Sequence, residues 1–174
     1  GITYGEIGEL DKAIADYSEA IRLDPTHHGC YNNRGSIYYR LKRYDNALAD
    51  INKAIELKPK LVDFYLYRGM THKALGKHEE AIADANSAIT IAPDQPAGYN
   101  SLAYFLVTCS DPSFRNPRRA VELASKAVKL GPKEWHVWNT LGVAQYHTGD
   151  LTAAIKSLNK SLKLDSGETS FALN

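Results

Sequence analysis

The sequence predicts an all-α fold, a solenoid of antiparallel helix hairpins stacked one on the next. Two observations predict it. The first is a period. Gly1, Gly35, Gly69 and Ala103 stand 34 residues apart, and Gly142 follows Ala103 by 39. Three further ladders keep that beat and stretch at the same step: Ala13, Ala47, Ala81, Ala120 and Ala154; Ala20, Ala54, Ala88, Ala127 and Ser161; Pro25, Pro59, Pro93, Pro132 and Ser166. A fixed period of this length marks a stack of like supersecondary units. The second is helical spacing in two blocks per period. Tyr31, Arg34, Gly35 and Tyr38 fall at i, i+3, i+4 and i+7, and Ala47, Leu48, Ile51, Ala54, Ile55 and Leu57 resume the stripe after a break.

The break from Leu41 to Asp45 is short, so the two helices run antiparallel as a hairpin. Asp45 opens the second helix and suits its positive end. Pro59 follows that helix and stops it. Gly35 and Ala47 belong where the two helices cross, and Ala54 where the second helix meets the next hairpin. Larger side chains there would force the backbones apart. Tyr31, Tyr65, Tyr99 and Trp138 recur at the start of each first helix and are expected to wedge between neighbouring hairpins. One hairpin cannot bury its apolar faces alone, whereas a stack can.

At this point the residues resemble a family. "YNNRGSIYYRLKRYDNALADINKAIELKP", "YLYRGMTHKALGKHEEAIADANSAITIAP" and "WNTLGVAQYHTGDLTAAIKSLNKSLKLDS" are similar to the tetratricopeptide repeat, and the resemblance runs over essentially the whole chain. It implies one right-handed superhelical solenoid over residues 1–174. Residues 1–27 read as a partial repeat with only the end of its first helix. Residues 28–61 and 62–95 are complete repeats, 96–134 a repeat with an insertion at 110–117, and 135–168 the fifth. Residues 169–174 read as the start of a further helix, with Phe171 ready to pack on the preceding hairpin. Neither end reads as a polar cap, so the expectation is a piece of a longer chain.

The insertion, "CSDPSFRNPR", replaces the tight hairpin turn. Asp111-Pro112 favours a turn. Asn116 and Pro117 read as N-cap and first residue of the next helix. Phe114 is expected to fold back as an anchor. The surrounding segment resembles a variant found in large bacterial multi-repeat proteins. Two readings follow: an ordered structural loop, which is the expectation, or a specificity loop offering Arg115, Arg118 and Arg119 to an acidic partner.

Composition excludes little. The chain has 174 residues with 21 basic and 20 acidic side chains, a net charge of +1 that gives no general pull toward nucleic acid or membrane. No apolar run is long enough to span a bilayer. Cys30 and Cys109 fall in different repeats, form no metal or redox motif, and read as ordinary thiols. They leave the compartment open, with the cytoplasm favoured. There is no phosphate loop and no His-Glu-x-x-His. His136 and His147 share a face but lie roughly 16 Å apart along the axis, too far for one metal. No catalytic residue, cofactor or metal site is expected.

The resemblance also implies that the first helix of each repeat lines a concave groove. Its candidate residues are Asn32, Asn33, Ser36, Tyr39 and Arg40; Asp63, Tyr67, Met70 and Lys73; Asn100, Ser101, Tyr104 and Thr108; and His136, Asn139, Thr140, Val143 and Tyr146. Tyrosine gives contact area at low entropy cost, and asparagine offers a peptide both a donor and an acceptor. The expected partner is a peptide or helix of another protein. A clamp for the C-terminal carboxylate of cytosolic chaperones is excluded. Asn33 fits that pattern, but Ile2, Asp63 and Tyr67 stand where it needs Asn, Lys and Arg, and Asp63 would repel a carboxylate. Two other roles stay open: a regulatory or substrate-presenting arm of a larger enzyme such as a kinase or transferase, and end-to-end self-association through Phe171, Leu173 and the first repeat.

Overall fold

The computed structural model describes residues 4–166, with side chains from residue 8. The roles expected of Gly1, Ile2, Phe171, Leu173 and the helix start at 169–174 lie outside the described residues. Those residues form nine α-helices and one 3-10 turn, with no strand among them. The helices are α1 (Tyr4–Leu23), α2 (His28–Arg40), α3 (Tyr44–Leu57), α4 (Val62–Ala74), α5 (His78–Ile91), α6 (Pro96–Thr108), α7 (Pro117–Leu130), α8 (Trp135–Thr148) and α9 (Leu151–Asp165). The chain divides within α5 into two compact units, Gly1–Asp84 and Ala85–Asn174.

In the first unit α1 packs on α2, α2 on α3 and α4, and α3 on α4. Ala47, Ile51, Ala54 and Phe64 form a buried cluster, flanked by Tyr31, Tyr38, Tyr39 and Ile55. The helices touch through their small residues. A Cβ on Gly35 would lie 3.0 Å from Ile51 Cγ1 and 3.4 Å from the Ala47 carbonyl oxygen, so glycine there sets the crossing distance. Gly69 meets Asp84 and the Ala81 carbonyl in the same way.

In the second unit α6 packs on α7 and α8, α7 on α8, and α8 on α9. Ala103, Ala120, Ala124, Ala127, Val137 and Ala144 are fully enclosed. At Gly98 a Cβ would stand 2.8 Å from the Ile89 backbone nitrogen. Ser161 takes the place of the ladder alanine, and its hydroxyl donates to the Trp135 carbonyl at 2.8 Å.

The aromatic ladder does more than fill space. Tyr31, Tyr65 and Tyr99 donate their hydroxyls to the carbonyls of Pro25, Pro59 and Pro93 at 3.3, 2.9 and 3.1 Å. Trp138 Nε1 donates to Pro132 at 2.9 Å. Each ring thus ties a first helix to the proline turn that leads into it.

One feature differs from the expectation. Helix α1 is continuous from Tyr4 to Leu23, with no hairpin turn. The turns at Lys42, Gly76 and Gly149 each carry a left-handed residue, with φ of 59°, 72° and 85°. Gly8 stands 34 residues before Lys42, yet it is helical. Glycine permits the left-handed conformation but does not require it. A hairpin turn is held by the packing of the two helices it joins, and among the described residues no helix precedes α1.

The insertion is an ordered loop. Asp111 Oδ1 accepts from the Ser113 amide at 2.8 Å and caps a 3-10 turn, Pro112–Phe114. Arg115 Nε donates to the Cys109 carbonyl at 2.7 Å, and Nη2 to Ser110 at 3.2 Å, so Arg115 holds the loop to itself. The Asn116 amide donates to Leu106 at 2.9 Å and closes the excursion. Asn116 caps α7 through the Arg119 amide at 3.0 Å, with Pro117 as first residue. Arg119 pairs with Glu122 at 2.6 Å.

Candidate functional site

The candidate surface lies on first helices, α2 and α4 in the first unit and α6 and α8 in the second. On α2, Asn33 and Arg40 are exposed, and Asn32, Ser36 and Tyr39 half-buried. Asn33 Nδ2 donates to the Tyr17 hydroxyl at 3.3 Å. Ser36 donates to the Asn33 carbonyl at 2.8 Å, and the Tyr39 ring packs on Tyr44 with centroids 5.6 Å apart. On α4, Asp63, Tyr67 and Met70 are exposed and Lys73 half-buried. Met70 is 43% exposed, large for an apolar side chain in a helix centre.

On α6, Tyr104 is 44% exposed, and Asn100, Ser101 and Thr108 are half-buried. On α8, Tyr146 is 61% exposed, its ring edge-on to His147. His136 Nε2 lies 3.1 Å from a Glu134 carboxylate oxygen, and Asn139 and Val143 are half-buried. Thr140 is a correction: it is 2% exposed, and its hydroxyl donates to the His136 carbonyl at 3.1 Å. Threonine can satisfy its hydroxyl within its own helix, which makes burial cheap. It is not available to a ligand.

Two of these residues share an unusual state. The amide oxygens of Asn32 and Asn100 are cut off from water and accept no hydrogen bond. The two hold the same position, two periods apart. A buried amide oxygen without a partner costs roughly 1–3 kcal/mol, so such positions ask for an explanation.

The sequence reading missed the strongest polar contacts. Arg34 Nε and Nη2 donate to the two Asp50 oxygens at 2.7 Å each, and Nη1 donates to Ser18 Oγ at 2.8 Å. Donating to the Asp50 carboxylate raises the Arg34 pKa above its ordinary value. One period on, Arg68 Nη2 and Nε donate to Asp84 Oδ1 at 2.6 and 2.9 Å, and Nη1 donates to Asn52 at 2.9 Å. His72 Nδ1 lies 2.9 Å from Asp84 Oδ2. Each arginine ties its own hairpin to the preceding second helix. The signal was in the letters: Arg34 and Arg68, like Asp50 and Asp84, are one period apart.

Among the described residues no group of three His, Cys, Asp or Glu side chains could hold a metal ion. No helix is long and apolar enough to cross a membrane. Cys109 is fully buried and Cys30 half-buried, both as thiols.

Fold and surface together define an all-α protein of stacked helix hairpins with tyrosine and asparagine on the first helices. The chain belongs to the tetratricopeptide-repeat family. Profiles described as "Tetratricopeptide repeat" match residues 29–61, 62–95 and 113–169, and one described as "TPR repeat" matches residues 1–42. The fold is similar to solved structures of low identity. A crystal structure of MamA is 19% identical, with 97% of this chain and 98% of that one covered and a TM-score of 0.72. MamA from Desulfovibrio magneticus RS-1 is also 19% identical, with 94% and 89% covered and a TM-score of 0.71. YrrB, described as a TPR protein with an unusual peptide-binding site, is 17% identical, with 93% and 81% covered and a TM-score of 0.63.

Proposed function

We propose that this chain is a protein-interaction module that holds an extended peptide or helix of a partner protein against its first helices, and that it makes or breaks no covalent bond. The observation that carries the reading is the pair of unpartnered amide oxygens, on Asn32 and Asn100. A peptide backbone supplies an N–H every residue. A small rotation of either asparagine would let its amide accept from one such group and donate to a carbonyl. Tyr67 and Met70 in the first unit, and Tyr104 and Tyr146 in the second, are exposed on first helices and would supply apolar contact. The peptide-binding site in YrrB's description is in keeping with this use of the fold.

The test is a pulldown from the source lysate with the parent and with Asn32→Ala/Tyr67→Ala/Asn100→Ala, after circular dichroism shows equal helicity. We expect a partner that the parent holds and the variant loses. Equal retention would sink the groove reading. End-to-end association is a second reading, favoured by α9. Ile155 and Leu162 are 62% and 65% exposed there, while their counterparts Leu48, Ile55, Val121 and Val128 are half-buried. Light scattering against concentration separates the two.

A further inference from the structure

The last hairpin sets an aromatic ring among three lysines. Trp138 on α8 and Lys156, Asn159, Lys160 and Lys163 on α9 line an open cavity of about 310 Å³. The four α9 residues fall at i, i+3, i+4 and i+7, one face of the helix. The indole is fixed in place by its hydrogen bond to Pro132. Lysine stems lay their methylenes along apolar surface and keep their ammonium groups in water. The cavity is therefore apolar in its floor and cationic at its rim.

A run of three lysines at this place is specific to α9. Lys156, Lys160 and Lys163 correspond to Glu122, Lys126 and Lys129 on α7, and to Ala49, Lys53 and Glu56 on α3. On α3 the lysine is neutralised within the helix: Lys53 Nζ meets Glu56 Oε1 at 2.8 Å. On α7, Glu122 pairs with Arg119. On α9 both acidic counterparts have become lysine. Among the described residues none of the three α9 lysines is in an ion pair, and all three are exposed. Three like charges on one helix face repel one another, a cost that an anionic ligand removes. The floor has changed as well: tryptophan stands where the earlier hairpins have tyrosine, and it gives the larger apolar and cation-attracting face.

We infer that this cavity is a second binding site, separate from the first-helix surface, for an acidic peptide that carries an aromatic side chain beside its carboxylates. The aromatic ring fills the floor against Trp138. The flanking Asp or Glu carboxylates meet Lys156, Lys160 and Lys163 at the rim. Charge complementarity sets the partner's sign, and the apolar floor distinguishes it from a general polyanion. The site does not depend on Asn32 or Asn100.

The experiment uses three synthetic peptides: one with a phenylalanine flanked by three glutamates on each side, one with alanine for the phenylalanine, and one with serines for the glutamates. Binding is followed by anisotropy of a fluorescein label and by tryptophan emission in a Trp135→Phe background. Trp138 is then the sole reporter, since the chain has two tryptophans. The Phe–Glu peptide should bind and shift the Trp138 emission to the blue, more weakly as salt rises. Both control peptides should bind at least about tenfold more weakly, and Lys156→Glu/Lys160→Glu/Lys163→Glu should lose the Phe–Glu peptide by a similar factor. These surface changes should leave the helical circular dichroism unchanged. Trp138→Tyr, the residue of the other hairpins, should keep the fold and weaken binding severalfold. Equal binding by the triple variant, or by the alanine peptide, would overturn the inference. So would binding to vesicles rich in anionic lipid without binding to the peptide.

Discussion

The two units solve one packing problem in opposite ways. Where the two helices of a hairpin cross, the first unit places Arg34 against Asp50, then Arg68 against Asp84. At the same repeat positions the second unit has Leu102 and Leu123, then Leu141 and Ser157, all buried. There Ser157 makes its hydrogen bond sideways, to Gln145 at 2.8 Å. The hairpin closes either way, so the ion pair is not what makes the fold. The gain of a buried pair is largely consumed by desolvation, and well-packed apolar residues do as well or better. What the arginine adds is a third contact, to Ser18 or Asn52 on the preceding second helix, which leucine cannot make.

That comparison can be broken most sharply at Asp84. Asp84→Ala leaves Arg68 half-buried without its carboxylate and removes the partner of His72. We expect a loss of about 3 kcal/mol in urea unfolding of the whole chain, because an uncompensated charge remains. An effect below about 1 kcal/mol would mean water already reaches the pair. The converse change makes the first unit resemble the second. Arg34→Leu/Asp50→Leu together should fall within about 1 kcal/mol of the parent, while either change alone should cost about 3 kcal/mol. A double-mutant cycle reads the coupling directly.

Next in size come the crossings. Ala103 occupies the Gly35 position in the second unit and is fully buried, so that hairpin has opened far enough to hold a methyl group. Gly35 has not: its added Cβ would stand 3.0 Å from Ile51 Cγ1. Gly35→Ala should cost about 1–2 kcal/mol by overpacking. Gly98→Ala should cost more than Gly35→Ala in the same melt, because its obstacle is the Ile89 backbone at 2.8 Å rather than a side chain that can turn.

The period carried the fold because a stacked hairpin tolerates only small residues at its crossings, and four such ladders in register leave little else to build. The tyrosine–proline ties were half legible: the wedge followed from the aromatics, but the hydrogen bond needed the turn geometry. Arg34 was read as part of an apolar stripe, since its spacing matched and its partner lay sixteen residues on, in the next helix. Periodicity tells which face a residue is on, not what waits across it. Thr140 failed for a related reason. Its spacing puts it among exposed ladder mates, Asn33 and Tyr67, yet a short hydroxyl that bonds its own backbone sinks where they cannot.

The smallest effect bears on the turns, and it goes the other way. Gly76 and Gly149 adopt the left-handed conformation at their hairpin turns, while Lys42 adopts it as a residue with a side chain. A left-handed non-glycine residue is strained by about 1–2 kcal/mol, and glycine returns part of that through its freer unfolded chain. Lys42→Gly should therefore stabilise by about 0.5–1 kcal/mol, seen as a higher urea midpoint with an unchanged slope. Gly8 supplies the control. It occupies the same ladder position but is helical, and nothing lies within 4 Å of its added Cβ. Gly8→Ala should then stabilise α1 by about 0.5–1 kcal/mol, as in any exposed helix interior. If instead it destabilises, a hairpin turn forms at Gly8 in solution, and the first repeat closes in the same way as the second and third.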